Sequence, residues 1–171
     1  MQSTSDTNPL LHVEFRIAFD RIRAGHVQPA AIELLREARA RLAGLSAPNG
    51  EPSFDNTLQA LDTFTERLDW AMGVVRHLES VATYPELRAA FKAAQPEVSA
   101  FYTGIPLDAG LWRNIKAYAA TPEAAGLTGA RRRFFQHIEA LTSYLHFESW
   151  EALMDFMMKG LEIGPYAIQK S

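Results

Sequence analysis

A chain of 171 residues, 47% hydrophobic and 22% charged, is long enough to bury one substantial core without staples, and its composition is that of a folded globular protein. Its formal charge of -3 provides no general attraction to nucleic acid, and the absence of cysteine excludes disulfides, thiolate zinc sites and cysteine nucleophiles. No apolar run approaches the roughly 20 residues that cross a bilayer, and the start MQSTSDTNPLL lacks the basic and apolar stretches of a secretory signal, so no membrane partner and a cytoplasmic location are expected.

Residues 1–18 carry no helical period and are expected to form an extended arm. Pro29 fits the first turn of a helix whose inward residues are Ile32, Leu35 and Leu42, joined by Leu34 and Ala38, and which ends at Gly44 and SAPNGEP. Glu37 sits one turn before Arg41 on its solvent face, a spacing that pairs the two for about 0.2–0.5 kcal/mol. The strongest periodic signal follows. Phe54, Leu58, Leu61, Phe64, Leu68, Met72, Val75 and Leu78 fall at steps of three and four, and Ser53 is placed to cap them, which predicts one helix over 54–82, roughly 40 Å long. A stripe of that length needs several helices along it, hence a bundle.

Thr83 and Glu86 have capping-box spacing ahead of Leu87, Phe91, Ala94, Val98 and Phe101, and Pro96 is expected to bend or break that third helix near Gln95. Gly104 and Pro106 precede a fourth helix over 107–119 with Leu111, Ile115 and Tyr118 as its buried edge. Thr121 and Pro122 form a cap and first-turn pair. Thr128 and Gly129 open a fifth run through Phe134, Phe135, Ile138, Leu141 and Leu145, and 148–159, with Leu153, Phe156 and Met157, makes a sixth. The fold class expected is therefore all-α, a bundle-like array of about six helices with one long central helix. The domain division is an arm at 1–18, a helical domain at 19–145 and a divergent helix and tail at 146–171.

The residues that could carry chemistry do not converge. His12, His26, His77, His137 and His146 include no pair four apart; His137 and His146 are nine apart with Glu139 on another side, and His77 is read as a structural histidine. Asp62, Glu66 and Asp69 share a helical face, read as solvated rather than as a cation site. Arg131, Arg132 and Arg133 fan around a turn, so no single phosphate track meets all three. Trp70, Trp112 and Trp150, with Met154, Met157 and Met158, are read as core first and as an adhesive surface second.

Four pieces in order, NPLL at 8–11, FDRIRAGHVQPA at 19–30, PSFDNTLQALD at 52–62 and VVRHLESVATYPELRAAF at 74–91, resemble the N-terminal helical region of the oligopeptidase A family, zinc-dependent oligopeptidases that include the thimet oligopeptidase and dipeptidyl carboxypeptidase branches. The resemblance spans roughly 8–136 and fades from about Ile138. It implies a wall of a deep channel that admits short peptides. The family's chemistry uses a His-Glu-x-x-His helix, in which two histidines one turn apart hold zinc and the glutamate activates water. No such motif stands in this sequence, so no catalytic, cofactor-binding or metal residue is carried over. The resemblance thus implies a non-catalytic domain or truncated relative, without zinc of its own and inactive by itself, with short peptides bound only in a complete enzyme. Whether the chain is a truncation, a remnant, an engineered fragment or a stand-alone relative stays open. The partners expected are a missing catalytic half or a second copy, through an apolar face of several hundred Å². The alternative is a stand-alone helical module that binds another protein's amphipathic helix.

Overall fold

A computed structural model describes residues 8–48 and 50–143. These fold as helices with no strand among the described residues. Contacts divide the chain after Gly126 into two compact units, each described by itself.

In the first unit, two single turns of 3-10 helix, Pro9–Leu11 and Phe19–Arg21, precede α1, Ala24–Ser46. α1 begins five residues before Pro29, which therefore lies inside the helix rather than in its first turn. The earlier start is possible because the first donors find side-chain partners: the Ala24 N–H donates to the distant Tyr84 hydroxyl, 3.1 Å away, and the N–H of the capping Arg23 donates to Nδ1 of His26 in the first turn, also at 3.1 Å. Pro29 is exposed, as is Gly25, so the carbonyl that loses its donor there is met by water. The long helix on which the others pack is α1, not the expected 54–82 course. Val27, Ala30, Ala31, Leu34, Leu35, Ala38 and Leu45 are buried along it, and it packs most extensively on α4, then on α5 and α3. Ile32, expected inward, is 58% exposed, and Leu42 is half-buried. The buried face runs through Ala31, Leu34, Leu35 and Ala38, one position round from Ile32.

The expected rod over 54–82 is present as a helical course but is not one uniform helix. It comprises a π-helical segment, Asp55–Gln59, then α2, Ala60–Thr63, a turn at Phe64 and Thr65, and α3, Glu66–Val81. Six of the eight stripe residues are buried, with Leu61 and Leu78 half-buried. Ser53 does cap the start: its hydroxyl accepts from the Asn56 N–H at 3.3 Å, and Asn56 Oδ1 accepts from the Ser53 N–H at 2.8 Å. The Phe54 N–H is taken by the Glu123 carboxylate at 3.0 Å. At the turn, the buried Thr65 hydroxyl donates to Asp69 at 2.8 Å.

α4, Pro85–Gly104, runs through Pro96 without the expected break. Pro96 and Lys92 face solvent, so water replaces the missing donor, while Phe91, Ala94, Val98 and Phe101 hold both halves in the core. The expected Thr83 capping box is absent; Tyr84 occupies the cap position and Pro85 the first turn, where its missing N–H is no loss. After a 3-10 turn, Ile105–Leu107, comes α5, Ala109–Ala119, with Leu111, Ile115 and Tyr118 buried as expected. The single-turn α6, Pro122–Ala125, starts where Thr121 accepts from the Ala124 N–H at 3.1 Å. In the second unit, α7, Gly129–Ser143, opens at Gly129 with φ 58°, and Phe135 is buried. The sixth expected helix at 148–159, with Leu145, His146 and Trp150, lies outside the described residues.

Candidate functional site

The residues that carry the family resemblance are occupied in holding the first unit together. Asn8 donates its side-chain N–H to the His26 carbonyl at 2.9 Å and accepts from the Leu10 N–H at 3.1 Å, so NPLL is pinned to the start of α1 with Leu10 fully buried. Arg67 of α3 completes the clasp by donating to the Leu11 carbonyl at 2.6 Å and pairing with Glu37, which also holds Arg41 at 2.6 Å. The expected Glu37–Arg41 pair is therefore there, but as part of a tertiary cluster. Arg67 and Asn8 went unnoticed in the sequence because a lone polar residue gives no periodic signal; Asn8 directly before a proline at a helical first position was the available one.

A second polar cluster joins α1 to α5. Asn114 donates to the Leu45 and Ala47 carbonyls at 2.6 and 2.7 Å, satisfying acceptors at the C-terminal end of α1. Gly110 sits against this end so closely that a Cβ there would lie 2.5 Å from the Ser46 carbonyl oxygen. Asp108 caps α5 through the Leu111 N–H at 2.8 Å. Partial burial pushes the Asp108 carboxyl up, but hydrogen bonding, first from the Leu111 N–H and then from Ser46 and Gly110, together with the nearby positive charge of Arg113, outweighs it and holds the pKa below the usual carboxylate value. A depressed folded-state pKa contributes stability that is present above the unfolded value of about 3.9 and lost as pH falls through the folded one. In chemical unfolding at a series of pH values, the stability difference between the wild type and Asp108→Asn is therefore expected to shrink below about pH 4. A difference that stayed constant down to pH 2.5 would show that the cap's charge contributes nothing.

The described histidines are placed as follows. His26 is engaged by the Arg23 backbone, His77 lies against the Phe19 ring with centroids 5.7 Å apart, and His12 and His137 are exposed. Among the described residues no group of three or more His, Asp or Glu side chains gathers to hold a metal ion. These residues do not fit the zinc that the family resemblance brings with it. Asp62, Glu66 and Asp69 are exposed but split by the turn at Phe64 and Thr65; Asp69 is taken by Thr65 and by the Tyr102 hydroxyl, whose pKa is driven up first by burial and then by that bond. Arg131, Arg132 and Arg133 are exposed on α7, and Trp70 and Trp112 are half-buried.

A cavity of about 470 Å³ lies between the N-terminal segment and α3. Pro9, Ile17 and Trp70 supply apolar walls, and His12, Glu14 and Arg21 stand at its rim. A second groove of about 380 Å³ runs between α3 and α4, over the buried Met72, Phe91 and Val98. No helix among the described residues is long and apolar enough to cross a membrane.

Fold and surfaces together define an all-helical domain whose motif residues cap, clasp and pack. The model of the neurolysin/thimet oligopeptidase N-terminal domain matches residues 31–142, so the likeness runs past Ile138, where the sequence had been expected to depart. Probable cytosolic oligopeptidase A of Arabidopsis thaliana is 32% identical over 135 residues, 79% of this chain and 19% of the relative. Organellar oligopeptidase A, chloroplastic/mitochondrial, of the same plant is 32% identical over 133 residues, 78% and 17%. Oligopeptidase A of Salmonella typhimurium is 30% identical over 127 residues, 74% and 19%. This chain belongs to the oligopeptidase A family, within which it corresponds to the N-terminal domain. It spans about a fifth of the length of these relatives.

Proposed function

We propose that this domain is a non-catalytic structural part of a zinc-dependent oligopeptidase, forming one wall of the channel through which short peptides reach a catalytic portion that this chain does not contain. The observation that carries this reading is the use of the motif residues. Asn8, Leu10, Ser53, Asn56, Tyr84 and Leu87 all act as caps, clasps or core, and none is left aimed at a common point in solvent. Zinc, peptide and the catalytic half are partners of the complete assembly in this reading. Half a channel lacks the opposing surface that would remove water from a bound peptide, so the domain alone binds short peptides weakly or not at all. Nucleic acid and membrane are not partners. A cytoplasmic location fits the relative named as cytosolic, although a second relative is named as organellar.

The test is a fluorogenic-peptide assay with and without a metal chelator. The chain alone is expected to give no turnover, and adding it to a zinc-bearing oligopeptidase portion deprived of its own N-terminal fifth is expected to restore hydrolysis. Chelator-sensitive turnover by this chain alone would refute the non-catalytic reading; failure to restore activity would count against the channel wall. A stand-alone interaction module is the second reading, favoured by one observation, the fully exposed Phe15.

A further inference from the structure

We propose that an apolar strip along the outer side of α3, made by Val13, Phe15, Phe19, Val81 and Tyr84, is where the rest of a complete oligopeptidase packs on this domain. The occupant is an apolar face of the portion, about four-fifths of each relative, that this chain does not span. The inference rests on the channel-wall reading and deepens it by placing the contact.

Two contacts lay the N-terminal segment along α3. The Leu11 carbonyl accepts from Arg67 at 2.6 Å, and the Phe19 ring lies 5.7 Å from the His77 ring, so residues 11–19 pass beside about 15 Å of helix. Along that track Val13 is exposed and Phe15 fully so. Phe19 is exposed beside His77, Val81 stands one turn further along α3, and Tyr84 follows the helix end, its hydroxyl accepting from the Ala24 N–H. Seven large apolar side chains stand exposed among the described residues, and these five belong to the strip. Ile32 and Leu107 are the others. Leu107 belongs to the opposite end: Ala24 meets Tyr84 and Arg39 lies 4.0 Å from Glu97, so α1 and α4 run side by side in one direction. The length of α4 therefore puts Leu107 about 30 Å beyond Tyr84.

The two ends are finished differently. At the far one, Asn114 holds the Leu45 and Ala47 carbonyls and Asp108 holds the Leu111 N–H, so polar contacts close the junction of α1 and α5. The strip on α3 ends in side chains that only another apolar surface removes from water. A run of this kind on a soluble domain marks an interaction surface. Family membership supplies the occupant. The matched region makes up 17–19% of the relatives' length, so most of each relative's chain is joined covalently to it. A tethered neighbour is present at an effective concentration in the millimolar range, so it covers such a strip without the roughly 1,600 Å² that a freely associating partner needs.

Titration calorimetry of the full chain against a zinc-loaded oligopeptidase portion lacking its own N-terminal fifth tests this. The wild type is expected to bind. Phe15→Asp and Val81→Lys are each expected to weaken binding about tenfold or more, while Leu107→Asp stays within about twofold of the wild type. All three should leave the circular dichroism spectrum of the chain alone unchanged, because these side chains already stand largely in water. Phe15→Asp and Val81→Lys variants that bind as tightly as the wild type, or a Leu107→Asp variant that loses as much as they do, would overturn the strip and leave the channel wall standing. A wild type that neither binds nor restores hydrolysis would overturn both. Dimerisation of the chain alone that Phe15→Asp abolishes, without binding of the zinc-loaded portion, would assign the strip to a second copy and overturn the proposal.

Discussion

Leu35→Ala is expected to destabilise the domain by about 2–5 kcal/mol, while Ile32→Ala, three residues earlier on the same helix, is expected to stay within about 0.5 kcal/mol of the wild type. Leu35 is 1% exposed on α1, the helix against which α3, α4 and α5 pack, so truncation leaves a cavity in the core. Ile32 is 58% exposed, and its removal deletes side-chain surface that was largely in water already. In a domain of this size a loss of 3 kcal/mol corresponds to a fall in melting temperature on the order of 10 °C, well outside the error of a scanning measurement. Equal losses for the two variants would mean that α1 is rotated about its axis relative to the arrangement described. Leu35 and Ile32 are both large aliphatic residues with similar positions in the apolar pattern, so the comparison isolates burial from chemistry.

The second large effect concerns two glycines expected to respond with opposite sign. Gly110→Ala places a methyl group 2.5 Å from the Ser46 carbonyl oxygen and 2.9 Å from the Ser46 Cβ. The first of these is backbone and cannot rotate away, so α1 and α5 must separate, and Asn114 loses its hold on the Leu45 and Ala47 carbonyls. Overpacking of this kind costs about 1–3 kcal/mol, against which the better helix propensity of alanine returns about 0.5–1 kcal/mol. The net expectation is a loss of about 1–2 kcal/mol. Gly73 is also helical but meets nothing within 4 Å at the Cβ position and faces solvent, so Gly73→Ala should gain about 0.5–1 kcal/mol. Urea unfolding of the two variants beside the wild type reads both signs in one experiment. If Gly110→Ala were as stable as Gly73→Ala, the close approach of α5 to α1 would not exist.

The clasp formed by Asn8, Arg67 and Glu37 explains why a resemblance legible in scattered short pieces is a statement about architecture. NPLL is more than forty residues from PSFDNTLQALD in the chain, yet Arg67, just beyond the second, donates to Leu11 in the first. Such pieces recur together when they meet in space, and meeting in space is a packing requirement.

The sequence by itself determined the class of fold and the identity of the main apolar faces. Steps of three and four fix which residues share a side of a helix, and the stripes of α3, α4 and α5 came out buried largely as their spacing predicts. It also determined the Ser53 and Thr121 caps, because a cap is a contact between residues three apart. The start of α1, the split of the 54–81 course and the unbroken passage of α4 through Pro96 were decided only by tertiary structure. The first and the last depend on whether a backbone group that local rules leave unsatisfied meets a distant side chain or solvent: Tyr84 reaches Ala24 across sixty residues and solvent attends Pro96, while the split falls at Phe64 and Thr65, where the Thr65 hydroxyl donates to Asp69. Periodicity records the geometry of one helix, and the neighbours that complete its hydrogen bonds become visible only when the chain has folded.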